Sequence, residues 1–299
     1  MLKIAAFTGS SLRHRRLIHK INSELDTDVK ILWVRSKGVK NSKQKINRER
    51  VKPTPSKPSL LKSLLGLSSK IKTLGLKKAT KLLFYSFFEK AFKKPLLLFH
   101  NLMILREEKK LIPLYPDAEL NLYKSIETSD PNSSEIEKVV NDFSPDVFVS
   151  FGGPIYREGL YASSKVTLNQ HAGMSPKYKG SYTTEQALIN GDLKDIGCTV
   201  HFISNEADEG AIVSVNTLIM NELDSPARIF VKNCALGTDN LVMALKSFVK
   251  KGAIEAIPQE RTGRTYFAKE FGAAEIASLY SLYYFGGMMR KIRRLNNEG

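Results

Sequence analysis

The hydrophobic positions at the start of the chain change from the pattern of a buried strand to that of an amphipathic helix and back again. Apolar runs at residues 2–7 and 29–34 predict two strands. Between them, residues 14–25 place Leu17 and Ile21 on one side of a predicted helix. This order of elements is typical of the opening of an α/β sheet.

The same alternation returns from residue 113 onwards. Its apolar runs suit strands that helices cover on both faces, as in parallel sheets. We therefore predict an α/β fold with an open, mostly parallel, Rossmann-like sheet. The predicted elements are helices at residues 133–143 and 183–190 and strands at residues 146–151, 166–169, 198–203 and 211–218.

A basic insertion and a C-terminal extension interrupt this pattern. Residues 36–59 are polar and proline-containing and predict a linker, whereas residues 60–111 repeat apolar positions at helical spacing and predict two or three basic helices. No run reaches the roughly 18 apolar residues of a membrane span. The extension predicts a hairpin at 262–267 and a helix at 273–295. The predicted divisions are a core at 1–34 and 113–220, a basic linker and helical insertion at 35–112, and an extension at 221–299.

The formal net charge of +16 is concentrated in one segment of the 299-residue chain. Residues 35–110 contain 21 Lys or Arg and four acids, a net charge of +17, whereas the other residues contain 25 basic and 26 acidic side chains. A solvated insertion that packs on the core is the plainest interpretation. Peripheral contact with an anionic membrane is the second, and a nucleic-acid partner is the least favoured.

The cysteines and the apolar residues near the N-terminus indicate in which cellular compartment the protein is expected. Cys198 and Cys234 both lie in apolar stretches and do not form a disulfide framework. The apolar run at residues 2–7 fits a first strand better than a signal peptide. We therefore expect a cytoplasmic protein, with a membrane-peripheral location if the basic helices bind lipid.

The loop after the first predicted strand is a candidate anion site. Arg13 and His14 lie in the first turn of the helix that follows residues 8–11, and a helix N-terminus attracts negative charge. Neither a dinucleotide-binding glycine motif nor a Walker lysine is present. A structural turn therefore explains the loop equally well.

The stretch from residue 168 to residue 210 carries the clearest chemistry. It places Asn169, His171 and Asp208 near the C-terminal ends of predicted strands, where open α/β sheets hold their sites. An amide can donate to an oxyanion, an imidazole can transfer a proton, and a carboxylate can position the imidazole. Alone, each residue is an ordinary turn or core residue. Together they predict acyl transfer to an amine.

The order of motifs in this stretch resembles the 10-formyltetrahydrofolate-dependent formyltransferases, and most of all the sugar N-formyltransferases. The resemblance covers most of residues 113–220 and, more loosely, residues 1–34. The matching motifs are Asn169-x-His171, Pro176-x-Tyr178-Lys179-Gly180, Asn190-Gly191-Asp192, residues 197–202 and Asp208-x-Gly210.

The resemblance also implies roles for individual residues. Asn169 and His171 would stabilise the oxyanion. Asp208 would adjust the pKa of the imidazole and relay a proton, and His201 is interpreted as a structural residue. The co-substrate would be 10-formyltetrahydrofolate, with no metal. Its implied binding residues are Gly153, Pro154, Ile155, Tyr156, Ile203 and Asp208. Arg13 and His14 are candidates for binding an anionic acceptor, and Lys177 and Lys179 could face either that acceptor or solvent.

The resemblance leaves several acceptors open. The short extension favours a small acceptor over tRNA, and the insertion sets the chain apart from compact glycinamide ribonucleotide enzymes. The leading expectation is a nucleotide-linked amino sugar for surface polysaccharide. The alternatives are methionyl-tRNA or another formyl acceptor, and a non-catalytic scaffold on a membrane surface. A homodimer is compatible with the sequence.

Overall fold

A computed structural model of the chain describes residues 1–36, 76–115 and 120–298. The predicted linker and any helix over residues 60–75 lie outside the described residues. The strands are β1 (Leu2–Thr8), β2 (Val29–Ser36), β3 (Leu122–Thr128), β4 (Val147–Phe151), β5 (Val166–His171), β6 (Tyr178–Gly180), β7 (Gly197–Phe202), β8 (Ile212–Thr217) and β9 (Arg264–Tyr266). The α-helices are α1 (Leu12–Glu24), α2 (Leu76–Leu111), α3 (Ser134–Phe143), α4 (Thr183–Asn190), α5 (Pro226–Lys251), α6 (Ala273–Tyr284) and α7 (Gly287–Glu298).

A seven-stranded sheet forms the centre of the described residues, in the order β3-β2-β1-β4-β5-β7-β8. The neighbours from β3 to β5 pair in parallel, whereas β7 and β8 pair antiparallel at one side. The predicted open, mostly parallel α/β sheet is confirmed. The antiparallel pair was not predicted, and it determines how the candidate site is assembled.

The two faces of β1 show why the sheet is covered on both sides. Ile4 packs in a core cluster with Leu17 of α1 and Leu241 of α5. The next strand positions point the other way, and Phe7 packs in a second cluster with Val140 of α3. Both cysteines are buried and unpaired, as the sequence predicted.

Helix α5 was not predicted, although its start carries a clear signal. The Ser225 side chain accepts a hydrogen bond from the backbone N–H of Arg228, and Pro226 occupies the first turn. The helix packs against β5 and β7, where the Gln170 amide donates to the Cys234 carbonyl at 2.8 Å. The candidate site therefore rests on a long, capped helix.

The insertion differs from its prediction in two ways. Residues 76–111 form one helix, α2, with Pro95 inside it, where shorter helices were predicted. The chain then returns to the sheet as β3, which pairs in parallel with β2. This strand was not predicted from the sequence.

The predicted hairpin at residues 262–267 is also wrong. Within this segment β9 pairs in parallel with β6, a short strand that follows β5 and lies far from β9 in the sequence. The helix predicted at 273–295 is divided in two at Gly286, whose positive φ of 70° ends α6 before α7 begins. No helix in the described part of the chain is long and apolar enough to cross a membrane.

Candidate active site

The candidate site lies where β5 pairs with β7. Asn169 and His171 are two positions apart on β5, so their side chains point to the same face of the sheet. The antiparallel register sets His201 of β7 directly opposite Asn169. Asp208 lies in the loop between β7 and β8 with a positive φ of 56°.

Asn169 lies near the C-terminal end of β5 and Asp208 follows the C-terminal end of β7, but these two strand ends do not lie side by side. β7 runs antiparallel to β5, so its C-terminal end leads away from His171. The loop after β7 turns back, and in this way the Asp208 carboxylate reaches both β5 side chains.

The Asn169 amide is held by three polar partners. Its Oδ1 lies 2.7 Å from the Ser150 hydroxyl, which donates to it. Its Nδ2 lies 3.0 Å from Asp208 Oδ1 and 3.0 Å from His201 Nε2. Because His201 Nδ1 lies 2.7 Å from the Phe202 carbonyl, which can only accept, Nδ1 carries the hydrogen and Nε2 accepts from Asn169.

The His171 ring is oriented by a backbone acceptor and a carboxylate. Its Nε2 lies 2.9 Å from the Tyr178 carbonyl oxygen, so Nε2 carries a hydrogen. Its Nδ1 lies 3.3 Å from Asp208 Oδ2. Burial lowers the pKa of His171 below its usual value, although the Asp208 charge opposes this shift. The ring is therefore neutral at pH 7 and presents an unprotonated Nδ1 to Asp208.

Asp208 is buried but remains ionised. Burial alone would raise the pKa of its carboxyl, but in the acid where this carboxyl titrates the charge of the His171 ring, the His201 ring and the Gly180 N–H stabilise the carboxylate and hold its pKa at about 2. The Gly180 N–H donates to Oδ2 at 2.8 Å. This arrangement places two proton acceptors, His171 Nδ1 and Asp208 Oδ2, against each other. A proton that arrives between them is shared by both, which makes the pair a receptor for a proton released by an attacking amine.

The two residues expected to donate to an oxyanion are already engaged within the protein. Nδ2 of Asn169 donates to Asp208 and His201, and Nε2 of His171 donates to the Tyr178 carbonyl. Neither donor is free in this arrangement. Donation to an oxyanion therefore requires the exchange of one of these contacts when substrate binds.

The segment that follows β5 supplies the backbone groups around His171, and side-chain contacts hold this segment in place. Asn190 donates to the hydroxyl groups of Tyr178 and Tyr266, whose rings stack 5.5 Å apart. Gly180 has a φ of 90°, and a Cβ there would lie 2.2 Å from the Tyr266 carbonyl oxygen. Only glycine fits this approach, so the glycine of the Pro-x-Tyr-Lys-Gly motif is required by the pairing of β6 with β9.

The residues that the resemblance implies for co-substrate binding differ in how accessible they are. Ile155 is exposed on the loop after β4 beside Gly153 and the half-buried Pro154. The Tyr156 ring is buried against Phe7 and Phe148, so the predicted role of Tyr156 in binding falls to its backbone and stays a prediction. The backbone N–H of Ile203 already donates to Thr167, which leaves its carbonyl as the available backbone group.

A cavity of about 300 Å³ adjoins the Asp208 loop. Gln259 of the extension borders it and donates from Nε2 to the carbonyl oxygens of Asp208 and Gly210, at 3.0 and 2.7 Å. No motif surrounds Gln259 in the sequence, so its contact with the site was not predicted. The lining residues are Ser204, Asn205, Glu206, Glu209, Gln259, Glu260 and Arg261.

The residues implied for an anionic acceptor are mostly paired. Arg13 forms an ion pair with Glu108 of α2, Lys179 with Glu209, and Lys177 with Asp192 and Asp195. Lys177 is half exposed, whereas Lys179 is buried. Their roles in binding stay predictions, and an anion would have to compete with these carboxylates.

His14 is a buried group without a visible partner for one nitrogen. Its ring packs 4.5 Å from the Phe151 ring, and its Nδ1 makes no hydrogen bond among the described residues. Burial, helped by the Arg13 charge, lowers the pKa of His14 well below its usual value. This environment suits a neutral core residue better than the ligand of an anion.

We predict that His14 makes the fold sensitive to mild acid. Because its folded pKa is lowered, its contribution to stability is present above the unfolded pKa of about 6.5 and is lost as the pH falls below it. The unfolding free energy should therefore decline between about pH 6.5 and pH 5, and His14→Phe should reduce this decline. Urea unfolding of both proteins across this range measures the effect, and parallel pH curves would contradict it.

Comparison with known proteins shows which family this region resembles. Residues 101–243 match the family model described as formyl transferase. The match covers just under half of the chain, and this stretch is similar to the formyl transferase family. Two similar proteins are methionyl-tRNA formyltransferases: that of Streptococcus thermophilus is 28% identical over 162 residues, and that of Staphylococcus aureus is 32% identical over 136 residues. These matches cover 53% and 45% of this chain and 51% and 43% of the relatives.

Two solved N-formyltransferase structures share the fold. An N-formyltransferase from Helicobacter canadensis, solved with folinic acid and dTDP-3-aminofucose, has a TM-score of 0.53 at 14% identity, over 95% of this chain and 81% of that one. A 4-N formyltransferase from Francisella tularensis has a TM-score of 0.51 at 13% identity, over 90% and 78%. The chain spans about half the length of the curated relatives above.

The described residues contain no group of three or more His, Cys, Asp or Glu that could hold a metal ion.

Proposed function

We propose that the chain transfers a formyl group from 10-formyltetrahydrofolate to a primary amine. The observation that carries this proposal is the contact of a neutral His171 with an ionised Asp208 beside the Asn169 amide. The match of residues 101–243 to the formyl transferase family model supports the same reaction.

The site residues account for each step of such a transfer. As the amine attacks the formyl carbon, His171 Nδ1 and Asp208 Oδ2 share the proton that the nitrogen loses. Asn169 Nδ2 and His171 Nε2 are the nearby donors for the oxyanion, once one of their protein contacts is exchanged. When the bond to the folate nitrogen breaks, the His171–Asp208 pair returns the proton to that nitrogen.

The co-substrate fits the chemistry of the cavity beside Asp208. A pterin ring offers amino and ring N–H donors, and the cavity is lined by acceptors that include the side chains of Glu206 and Glu209. Arg261 lines the same cavity and suits the carboxylates of a folate tail. The exposed loop at Ile155 and the carbonyl of Ile203 remain the proposed backbone contacts.

A nucleotide-linked amino sugar is the leading proposed acceptor. The Helicobacter canadensis relative is described in complex with dTDP-3-aminofucose, and this chain aligns with most of that structure. The methionyl-tRNA formyltransferases align over about half of this chain. Lys177 is the most accessible of the four implied basic residues and is proposed to face the nucleotide.

A transfer assay over a panel of acceptors tests this proposal. Tetrahydrofolate release would be followed with nucleotide-linked amino sugars, and glycinamide ribonucleotide and methionyl-tRNA serve as the alternative acceptors. We expect turnover with at least one amino sugar and none with the other two. Turnover only with methionyl-tRNA would overturn the acceptor, and folate binding without turnover on any acceptor would favour a scaffold.

A lipid-linked amino sugar is the second proposed acceptor. Helix α2 exposes Phe84, Phe87 and Leu98 between basic side chains, which suits a protein that works beside a membrane. In that case the protein would be cytoplasmic and membrane-peripheral. Turnover with a detergent-solubilised lipid-linked amino sugar, and none with the nucleotide-linked form, would favour this acceptor.

A further inference from the structure

Helix α2 carries an exposed apolar stripe along one side. Successive members are three or four residues apart, so they fall within about 80° of the helix circumference and extend over about 32 Å. Phe84 is 70% exposed, Leu98 60% and Leu102 54%. The stripe consists of Phe84, Phe87, Ala91, Pro95, Leu98, Leu102 and Leu105, all of them exposed.

From Glu89 onwards the opposite side of α2 is docked on the protein, so over this length the stripe is not the result of a loosely packed helix. His100 is fully buried, with Nδ1 3.1 Å from the Tyr280 hydroxyl and Nε2 3.3 Å from Glu185 of α4. Ile104 packs in a core cluster with Ala227 and Val231 of α5. These contacts fix the rotation of the helix and direct the stripe to solvent.

The charges around the stripe are of one sign. Five exposed basic residues flank it, and none of them forms an ion pair with another described residue. The acids of α2 are used elsewhere: Glu89 accepts from the Ala274 N–H, Glu107 pairs with Arg228, and the buried Glu108 pairs with Arg13. The basic flank consists of Lys81, Lys90, Lys94, Arg106 and Lys109.

We propose that the apolar stripe of α2 docks on the surface of a bilayer that contains anionic lipids. The helix would lie in the plane of the interface, with the stripe in the boundary between headgroups and acyl chains and the basic flank among anionic headgroups. This inference goes beyond the proposed formyl transfer and does not depend on it. A bilayer buries the stripe and neutralises its flank at the same time.

A second copy of the chain fits the stripe less well. Two copies that paired through α2 would bring two basic flanks together, and like charges repel without a compensating acid. The described acids of α2 all face the protein's own body. Charge complementarity therefore favours lipid over self-association.

Vesicle co-sedimentation of the full chain tests the proposal. Vesicles of phosphatidylcholine with phosphatidylglycerol should pellet the protein at low salt, and high salt or pure phosphatidylcholine should weaken binding at least about tenfold. The variant Leu98→Asp/Leu102→Asp should lower binding at least about tenfold, because it places two charges in the stripe. The matched control Met243→Asp/Ile257→Asp changes exposed apolar residues on other elements and should bind as the wild type does.

A second variant separates charge from apolar contact. Lys94→Glu/Arg106→Glu keeps the stripe intact and should also release the protein, and its circular dichroism spectrum should match the wild type. A Phe84→Trp variant should show a blue-shifted emission on binding vesicles. Equal pelleting of the wild type and both α2 variants would overturn the proposal. So would self-association without vesicles that Leu98→Asp/Leu102→Asp abolishes, since that would assign the stripe to a second copy.

Discussion

Replacing His171 with Ala is expected to lower kcat/KM for formyl transfer by about a thousandfold. The substitution removes Nδ1, which shares the transferred proton with Asp208, and Nε2–H, a candidate donor to the oxyanion. Loss of a positioned base or of one oxyanion donor each costs about a hundredfold or more. Initial rates at several amine concentrations measure the effect.

The His171→Ala protein must be folded for this result to count. The ring is buried, so its removal should lower the melting temperature modestly while tetrahydrofolate binding, proposed for the adjoining cavity, is retained. Added imidazole should restore part of the rate if proton transfer is the lost function. A rate within tenfold of the wild type, in a folded variant that binds folate, would remove His171 from the mechanism.

Replacing Asp208 with Asn is expected to lower kcat by about a hundredfold or more. Asn keeps the size of the side chain but removes the carboxylate that shares a proton with His171 Nδ1. Because the Asp208 charge raises the pKa of His171, its loss lowers that pKa further and weakens the ring as a base. A pH–rate profile of both proteins measures the change.

The same substitution has a separate effect on acid stability. The pKa of Asp208 is lowered from 3.8 to about 2, so its contribution to stability is present above pH 4 and is lost as the pH falls towards 2. In the wild type this loss amounts to about 2 kcal/mol, whereas Asp208→Asn should lack it. Unfolding free energies across this range provide the test.

An unchanged kcat in Asp208→Asn would contradict the role of Asp208 in proton transfer, whatever the stability curves show.

The sequence was a good guide where local patterns decide the structure. Residues 183–190 form α4 as predicted, and Ser133 caps α3 by accepting from the Ile136 N–H. Strands β1, β2, β4 and β5 of the parallel region were predicted from their apolar runs, because helices bury both of their faces. The motifs around Asn169, His171 and Asp208 brought together residues that lie in contact in the fold.

The sequence failed where distant pairing decides the structure. Residues 264–266 were predicted as part of a hairpin, yet they pair with residues 178–180, and no local signal encodes so distant a partner. β3 was missed because residues 122–128 at the sheet edge lack a continuous apolar run. Edge strands are set by the neighbour they meet, here β2, rather than by their own composition.

His201 illustrates the same limit within the site. Its place on a strand suggested a structural role, and its ring is indeed buried. Only the antiparallel register of β5 and β7 reveals that it lies opposite Asn169 and accepts from that amide. The orientation of Asn169 thus depends on a pairing that the sequence does not state.

The most direct test of formyl transfer is the mass of the acceptor amine after incubation with 10-formyltetrahydrofolate and the purified chain. A nucleotide-linked amino sugar should gain the mass of one formyl group on its amine with the wild type and remain unmodified with His171→Ala over the same time. An acceptor modified equally by both proteins, or by neither although both bind folate, would contradict the assignment of Asn169, His171 and Asp208 as the site of formyl transfer.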